Sequence, residues 1–197
     1  LFFWRVAPVG ADTLLPMSLA DRSYQGVSAG GDFEVTPGRR QLSTDGRWVV
    51  FQSPHGVLLV PGYSGAGEQL FLADRLTGLV RLVSAANGST TQAANGRSLW
   101  PVVNSDGRFV AFTSESTDLV AEVSDELAFN VYLWDRDAAP SSATRLVSHR
   151  TSGSLDRGND FSGDPDLSAD GRYVAFASVA TDLVGDAGGN ESGVGVF

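Results

Sequence analysis

Cysteine and lysine are both absent from this chain of 197 residues, whose 14 basic side chains are all arginine. Without cysteine the protein can form no disulfide, no thiolate metal site and no cysteine nucleophile. Histidine is scarce, because only His55 and His149 occur. These shortages remove most of the side chains on which nucleophilic catalysis and transition-metal binding depend.

Long apolar segments are also missing. The most apolar stretch, residues 56–60, has the length of a strand, and residues 1–4 are too short for a secretory signal. The chain starts at Leu1 rather than at methionine and a strand-like run continues to Phe197, so we expect it to be a segment of a longer protein. Its net charge of −9 opposes contact with phosphate backbones, so nucleic-acid binding is not predicted. Because no long apolar segment is present, membrane insertion is not predicted either.

A motif of the form S/N-x-D-G-R, followed by an aromatic residue and an apolar run, occurs three times. Asp45 and Asp106 are 61 positions apart, and Asp106 and Asp170 are 64 positions apart. Asp-Gly between two apolar runs is typical of a β-hairpin, because glycine adopts positive φ freely and aspartate tolerates it. A nearly constant period of this length predicts a repeat architecture.

Each repeat is predicted to contain four strands. The motif joins the first strand to the second, the third ends at Asp74 or Asp135, and the fourth contains Arg81 or Arg145. In the second strands, apolar residues occupy both odd and even positions. This pattern indicates that both faces of these strands are buried. Four-stranded units that recur in one order fit the blades of a β-propeller, whereas a sandwich or a prism does not require such a period. The predicted fold class is all-β, a segment of a β-propeller.

The repeat boundaries divide the predicted propeller segment, residues 1–197, into four parts. They are a partial blade at 1–34, complete blades at 35–97 and 98–161, and a partial blade at 162–197. In the first partial blade, residues 2–4 are expected to form a third strand and residues 17–19 a fourth. Propellers have about four to eight blades, so the ring is expected to be incomplete and to be continued by further blades of the same parent chain.

These residues resemble the TolB-like, WD-repeat-like β-propeller repeats of bacteria. The pattern P-x-x-S-x-D-G-x-x-[VI]-A-F is matched along residues 101–112 and 165–176, with Asn104 at the serine position. The copy at Asp45 departs from it, with Arg40 in place of proline and Val50 in place of alanine. The resemblance implies a propeller that acts as a periplasmic or extracellular interaction scaffold, as a domain of a large surface protein, or as a substrate gate beside a serine-peptidase domain. It assigns no functional residue.

No catalytic or cofactor-binding residue is predicted. Neither His55 nor His149 belongs to a motif, and no G-x-S-x-G nucleophile elbow is present. Pairs of carboxylates of the kind that glycosidases use are a weak indication of catalysis here, because many such pairs arise by chance in so acidic a chain. Asp45, Asp106 and Asp170 recur because each turn needs them, so they are interpreted as structural.

The one candidate metal site is the loop at residues 182–191, which contains four oxygen-donor side chains and three glycines. Calcium favours flexible oxygen cages of this kind. The spacing is not that of an EF-hand, and the equivalent loop at residues 56–67 has no acidic residue. The acids of the intermediate copy are spaced differently, at Asp118, Glu122, Asp125 and Glu126. We therefore favour a solvated loop, with calcium binding as the weaker alternative.

The predicted function is a non-enzymatic scaffold that binds a protein partner in the periplasm or outside the cell. Rigid blades would display variable loops, and the longest loops, between second and third strands, should share one rim. These loops are residues 54–68, 115–130 and 179–193. Two alternatives stay open. One is the gating propeller of a peptidase or other hydrolase whose catalytic residues lie elsewhere, and the other is a degraded repeat with no function of its own.

Calcium titrated into the chain is expected to release no heat of binding and to leave the midpoint of thermal unfolding unchanged up to millimolar concentration. The reason is that the acids of the loop at 182–191 do not have the spacing of a known calcium cage. Isothermal titration calorimetry measures this directly. A saturable heat that both Asp182→Asn and Glu191→Gln abolish would establish the metal site instead.

Overall fold

The structure, a computed structural model, describes residues 2–4, 14–16, 39–121, 128–153, 156–184 and 195–196, with the backbone alone for the first two segments and the last. Twelve strands within these residues form four antiparallel sheets of two to four strands, which do not close into a ring. Their helical content is one short helix, α1 (Gly56–Leu59), and a 3-10 turn at Pro140–Ser142. The prediction of an all-β chain is confirmed.

The strands pair in the order in which they follow one another along the chain. The first sheet contains β1 (Phe2–Trp4) and β2 (Leu14–Pro16). The second sheet contains β3 (Trp48–Ser53), β4 (Gln69–Asp74) and β5 (Val80–Leu82). The third contains β6 (Ser98–Val103), β7 (Phe109–Ser114), β8 (Asn130–Asp135) and β9 (Thr144–Leu146). The fourth contains β10 (Ser162–Leu167), β11 (Val174–Ser178) and β12 (Gly195–Val196).

The fourth strand predicted at residues 17–19 lies outside the described residues. The strand that pairs with β1 is β2, at residues 14–16. Leu14 pairs with Trp4, ten positions away, just as Thr144 pairs with Trp134, so the connection between the two strands has the same length in both sheets.

The second sheet has three strands, where four were predicted for residues 35–97. Of the first strand, the described residues retain a single bridge between Leu42 and Val49. Its preceding residues, Arg39 and Arg40, extend their side chains to β10 of the fourth sheet. In the third and fourth sheets, proline occupies the position of Arg40 and is buried within a six-residue strand.

The three S/N-x-D-G-R turns share one geometry. In each, the aspartate Oδ1 accepts the N–H of the arginine two positions later, at 2.9, 2.9 and 3.1 Å in chain order. The first residue of the motif accepts the N–H of the aromatic residue, so the Asn104 carboxamide replaces a serine hydroxyl. Where that residue is serine, its hydroxyl also donates to the carboxylate. This bond is the main reason that the pKa of Asp45 and of Asp170 is lowered.

The second, third and fourth sheets pack face to face in chain order. We call the face that a sheet turns toward later sheets its trailing face and the opposite one its leading face. The trailing face of the second sheet carries Trp48 and Val50, which form one buried cluster with residues of the third sheet: Val103, Val110, Phe112, Tyr132 and Trp134. The trailing face of the third sheet meets the fourth in a second cluster, formed by Val102, Phe109, Ala111, Leu133, Leu167 and Val174.

The glycines of the second and third turns lie against the aromatic residue of the preceding sheet. A Cβ atom at Gly107 would overlap the indole of Trp48, and one at Gly171 would overlap the ring of Phe109. The Trp48 ring is also stacked by guanidinium groups, since Arg136 lies 4.1 Å and Arg47 4.8 Å from its centroid. The glycine thus serves two needs, because the turn requires φ of 72° and the neighbouring sheet leaves no room for a side chain.

An ion pair ties each turn to the third strand of its own sheet. Arg47 binds Asp74 through two hydrogen bonds of 2.9 and 2.7 Å, and Arg108 binds Asp135 through bonds of 2.9 and 2.8 Å. Such bidentate contacts hold the pKa of both carboxyls below the usual range, although burial opposes the shift. The arginine that follows each aspartate, Arg75 or Arg136, donates to the carbonyl of the turn glycine.

Gly107→Ala is expected to lower the free energy of unfolding by about 2–5 kcal/mol, since left-handed backbone costs about 1–2 kcal/mol and overpacking about 1–3 kcal/mol. Gly88→Ala is the matched control, because Gly88 has φ of 78° and no described atom within 4 Å of an added Cβ. Gly88→Ala should lower the free energy of unfolding by the backbone contribution alone, about 1–2 kcal/mol. Urea unfolding followed by tryptophan fluorescence measures both variants, and equal losses would contradict the contact with Trp48.

Acidification should weaken the fold partly through Asp74, whose side chain is 4% exposed. Its lowered pKa means that the ion pair stabilises the protein above the unfolded-state pKa of about 3.9 and that this stabilisation is lost as pH falls toward the folded-state pKa. Asp74→Asn and Arg47→Met should each flatten the dependence of unfolding free energy on pH below about 4. Variants that retain the full wild-type slope would show that the pair contributes nothing to it.

Candidate functional site

The sheets have two rims with different characters. The turn rim carries the three S/N-x-D-G-R turns, and the loop rim carries the connections between second and third strands. On the turn rim, backbone hydrogen bonds link the residue before each aspartate to its counterpart in the next sheet. Thr44 N donates to Ser105 O at 2.9 Å, and Ser105 N donates to Ala169 O at 3.0 Å. The hydrogen bonds of the turn rim therefore join the second, third and fourth sheets.

On the loop rim, a repeated polar latch fixes the start of the long loops of the third and fourth sheets. Asn95 exchanges two hydrogen bonds with Thr117, and its own amide donates to Asp118 Oδ1 at 2.9 Å. The fourth sheet repeats the arrangement with Asn159, Thr181 and Asp182. Beyond these latches the loops diverge, since the loop of the second sheet contains α1 and the others do not over their described residues.

The candidate calcium loop begins at a carboxylate that already has partners. Asp182 accepts the Asn159 amide at 3.0 Å and forms an ion pair of 2.6 Å with Arg150. Residues 185–191, which hold its other oxygen donors, lie outside the described residues, as do Glu122, Asp125 and Glu126 of the preceding copy. The described residues contain no group of three or more histidine or acidic side chains that could hold a metal ion. Asp118 and Asp182 therefore have a visible structural role at the latches.

One position in the first strand of each repeat brings unlike side chains together. It lies six residues before the turn aspartate and is occupied by Arg39, Trp100 and Asp164. In β6 and β10 this residue has positive φ, 54° at Trp100 and 59° at Asp164, at a shift of register that marks a β-bulge. The bulge turns these side chains out of the ladder, and left-handed backbone at a non-glycine residue is strained.

Arg39, Trp100 and Asp164 form what we call the bulge cluster. The Arg39 guanidinium pairs with the Asp164 carboxylate and lies 5.6 Å from the centroid of the Trp100 ring. Burial lowers the pKa of Arg39, and the charge of Asp166 opposes this effect. The aromatic contacts continue from Trp100 to Phe161 at 6.4 Å and from Phe161 to Phe129 at 6.2 Å. The cluster offers one cation, one anion and aromatic surface, which are groups suited to binding.

A buried arginine supports the loop of the third sheet. Arg157 has no exposed surface and donates to the carbonyl of Ser116. It also interacts with Tyr132, whose pKa is raised by burial and lowered in part by this arginine. The equivalent residue of the preceding repeat is Ala93. This loop is therefore held by a cation that the neighbouring repeat does not have.

The histidines occupy separate loops. His55 lies between β3 and α1, where its backbone amide donates to the Ser53 hydroxyl. His149 follows β9, and its Nδ1 lies 2.9 Å from the carbonyl oxygen of Arg150. Within the described residues neither imidazole is hydrogen-bonded to a serine, aspartate or glutamate side chain. No acid–base pair of the kind used in nucleophilic catalysis is formed there.

Two clefts open between the outer strands of neighbouring sheets. One, of about 450 Å³, lies between β5 and the end of β8 and is lined by Arg81 and Trp134. The other, of about 660 Å³, lies between β9 and the start of β11 and is lined by His149 and Tyr173. Because both follow a fourth strand, we interpret them as a product of sheet packing rather than as an individual site.

The sequence predicts no role for the bulge cluster or for Arg157. At both positions the repeats differ: Arg, Trp and Asp at one, and Ala against Arg at the other. Because the neighbouring positions differ as well, an alignment of the repeats does not single these residues out. The ion pair of the bulge cluster could not have been predicted, because Arg39 and Asp164 are 125 positions apart.

Comparison with known proteins adds no family to these observations. None of the helices in the described part of the chain is long and apolar enough to span a membrane. No family model matches the chain, and no curated protein matches it.

Proposed function

We propose that the chain is a non-enzymatic β-propeller segment that binds a protein partner through its loop rim. The observation that carries this proposal is the contrast between the two rims. On the turn rim the same hydrogen bonds, ion pairs and glycine contacts recur from sheet to sheet. On the loop rim the latches recur but the loops beyond them differ, as expected where a rigid frame presents variable binding segments.

The propeller arrangement is supported by contacts that skip a sheet. Packed sheets lie about 10 Å apart, so the second and fourth members of a flat stack would be about 20 Å apart. Nevertheless Arg40 donates to the carbonyl of Leu167 at 3.0 Å, and Arg39 pairs with Asp164. Single arginine side chains bridge the two sheets only if the first strands converge. Convergence of first strands on an axis is the geometry of a propeller.

The parent protein is proposed to belong to the TolB-like group of bacterial propellers, located in the periplasm or outside the cell. The support is the recurring S/N-x-D-G-R hairpin and the Thr-Asp-Leu-Val segment at the start of the long loops of the third and fourth sheets, whose threonine and aspartate form the latches. Further sheets of the same kind would complete the ring. The bulge cluster lies at the first strands, which face the proposed axis. A binding site there would be additional to the one on the loop rim and would not replace it.

Site-specific photo-crosslinking in the source cell tests which rim binds. Val57 in α1 on the loop rim and Leu76 in the turn after β4 on the turn rim are matched positions, with side chains 71% and 76% exposed. A photoreactive amino acid at position 57 should capture a distinct protein, and the same amino acid at position 76 should capture none.

The outcome also separates the alternatives. Equal cross-links from both positions, or none from position 57, would contradict binding through the loop rim. A cross-link from position 57 to a catalytic domain of the same polypeptide would replace the scaffold with a gating propeller of a hydrolase.

A further inference from the structure

Two Asn-Gly pairs lie close together in the chain and have the same local sequence. Residues 86–88 and 94–96 both read Ala-Asn-Gly. A glycine after asparagine leaves its own backbone nitrogen unhindered, because it has no side chain, and this nitrogen can attack the asparagine carboxamide. Since the two sites share their local sequence, a difference in their reactivity must come from the fold.

At Asn95 both reacting groups are held by hydrogen bonds. The carboxamide Nδ2 donates to Thr117 Oγ1 at 2.7 Å, and Oδ1 accepts the Thr117 amide at 2.9 Å. The amide of Gly96, which would be the attacking group, donates to Ser116 Oγ at 3.0 Å. Three hydrogen bonds must therefore break before Asn95 can cyclise, and each adds to the barrier.

At Asn87 neither reacting group has a hydrogen-bond partner among the described residues. The side chain is exposed, and the amide of Gly88 donates to no described acceptor. No described atom lies within 4 Å of a Cβ atom added at Gly88. The turn is closed by a hydrogen bond of 2.9 Å from the Ser89 amide to the Ala86 carbonyl. Bonds in exposed turns of this kind open locally at little cost, which lets the carboxamide approach the amide nitrogen.

We propose that Asn87 is a site of spontaneous deamidation. The backbone nitrogen of Gly88 attacks the Asn87 Cγ and gives up its proton, and the carboxamide nitrogen leaves with that proton as ammonia. The product is a cyclic succinimide, which one water molecule opens at either carbonyl. Opening at Cγ gives aspartate, and opening at the backbone carbonyl gives isoaspartate, in which the chain continues through Cγ. The net reaction consumes one water and releases one ammonia.

The modified turn is tied to the latch of the third sheet. The Asn87 amide donates to the carbonyl of Asp118 at 2.7 Å, and the carboxylate of Asp118 accepts the amide of Asn95. Isoaspartate adds a methylene group to the backbone, so the turn and its bond to Asp118 cannot both keep their geometry. Deamidation is therefore expected to loosen the start of the loop at residues 115–130.

Peptide mapping by mass spectrometry measures the rate at each asparagine. The folded 197-residue chain is incubated in weakly alkaline buffer made with heavy-oxygen water, which labels only residues that react during the incubation. Asn87 should deamidate at least about tenfold faster than Asn95. In the same chain unfolded by urea the two rates should become similar, because only the local sequence then acts.

Two variants test the cause of this difference. Thr117→Val removes the hydroxyl that accepts Asn95 Nδ2, so it should raise the rate at Asn95 and leave that at Asn87 unchanged. Gly88→Ala should suppress the reaction at Asn87 alone, since the added methyl group hinders attack by the amide nitrogen. Circular dichroism and urea unfolding establish that each variant keeps its fold.

Hydrogen exchange tests the effect on the latch. The wild-type chain and Asn87→Gln are aged together, and Asn87→Gln is the control because glutamine does not form the five-membered succinimide. The amides of Asn95 and Thr117 should exchange faster in the aged wild-type chain than in the aged variant. Equal exchange in the two chains would contradict the loosening of the loop.

Three results would overturn the proposed site. They are a folded chain in which residue 87 acquires no label, a folded chain in which Asn95 reacts as fast as Asn87, and a difference that persists unchanged in urea. The reaction requires no partner and no further sheets. None of these results therefore bears on the cross-link from position 57, so failure of this site and failure of the scaffold function can be told apart.

Discussion

The contact between a turn glycine and the aromatic residue of the preceding sheet is the constraint on which the other interactions depend. It sets the separation of the sheets at the turn rim, because neither Gly107 nor Gly171 leaves room for a side chain above the ring. With that separation fixed, the amide of one turn reaches the carbonyl of the next, at 2.9 and 3.0 Å. The guanidinium of Arg136 can then reach the Trp48 ring while it donates to Gly107.

The exclusive use of arginine has a physical counterpart in this frame. Arg47 and Arg108 each bind a carboxylate through two parallel hydrogen bonds and also lie 4.8 Å from an adjacent aromatic ring. A lysine ammonium forms neither the planar fork nor the stacked contact. A chain with few cations and a net negative charge can therefore hold this repeat together, because arginines such as Arg47 and Arg108 each form an ion pair and an aromatic contact.

The all-β class, the hairpins and most strand positions could be predicted, because they follow from a local motif and from alternation within a strand. Trp48–Ser53 and Phe109–Ser114 are examples. The reduced first strand before Leu42 could not, since the side chains of Arg39 and Arg40 are drawn to a sheet two repeats away. The bulge cluster could not be predicted for the same reason. Its members are distant in sequence and chemically unlike, and they meet only because the first strands converge. The structural role of Asp182 could be predicted in part, because Asn159 and Asp182 are 23 positions apart, as are Asn95 and Asp118. Its ion pair with Arg150 could not, since the preceding repeat has Ala86 at the equivalent position.

The bonds from Arg39 and Arg40 to the fourth sheet have a consequence for how the chain unfolds. In a linear array each repeat touches only its neighbours, and stability is close to a sum of nearest-neighbour terms that allows melting from the ends. Here the second sheet also holds the fourth, at Asp164 and at the Leu167 carbonyl. Loss of the fourth sheet therefore removes the partners of two guanidinium groups of the second sheet, in addition to the packing on the trailing face of the third. Coupling beyond the nearest neighbour makes an array of separate units behave as one cooperative body.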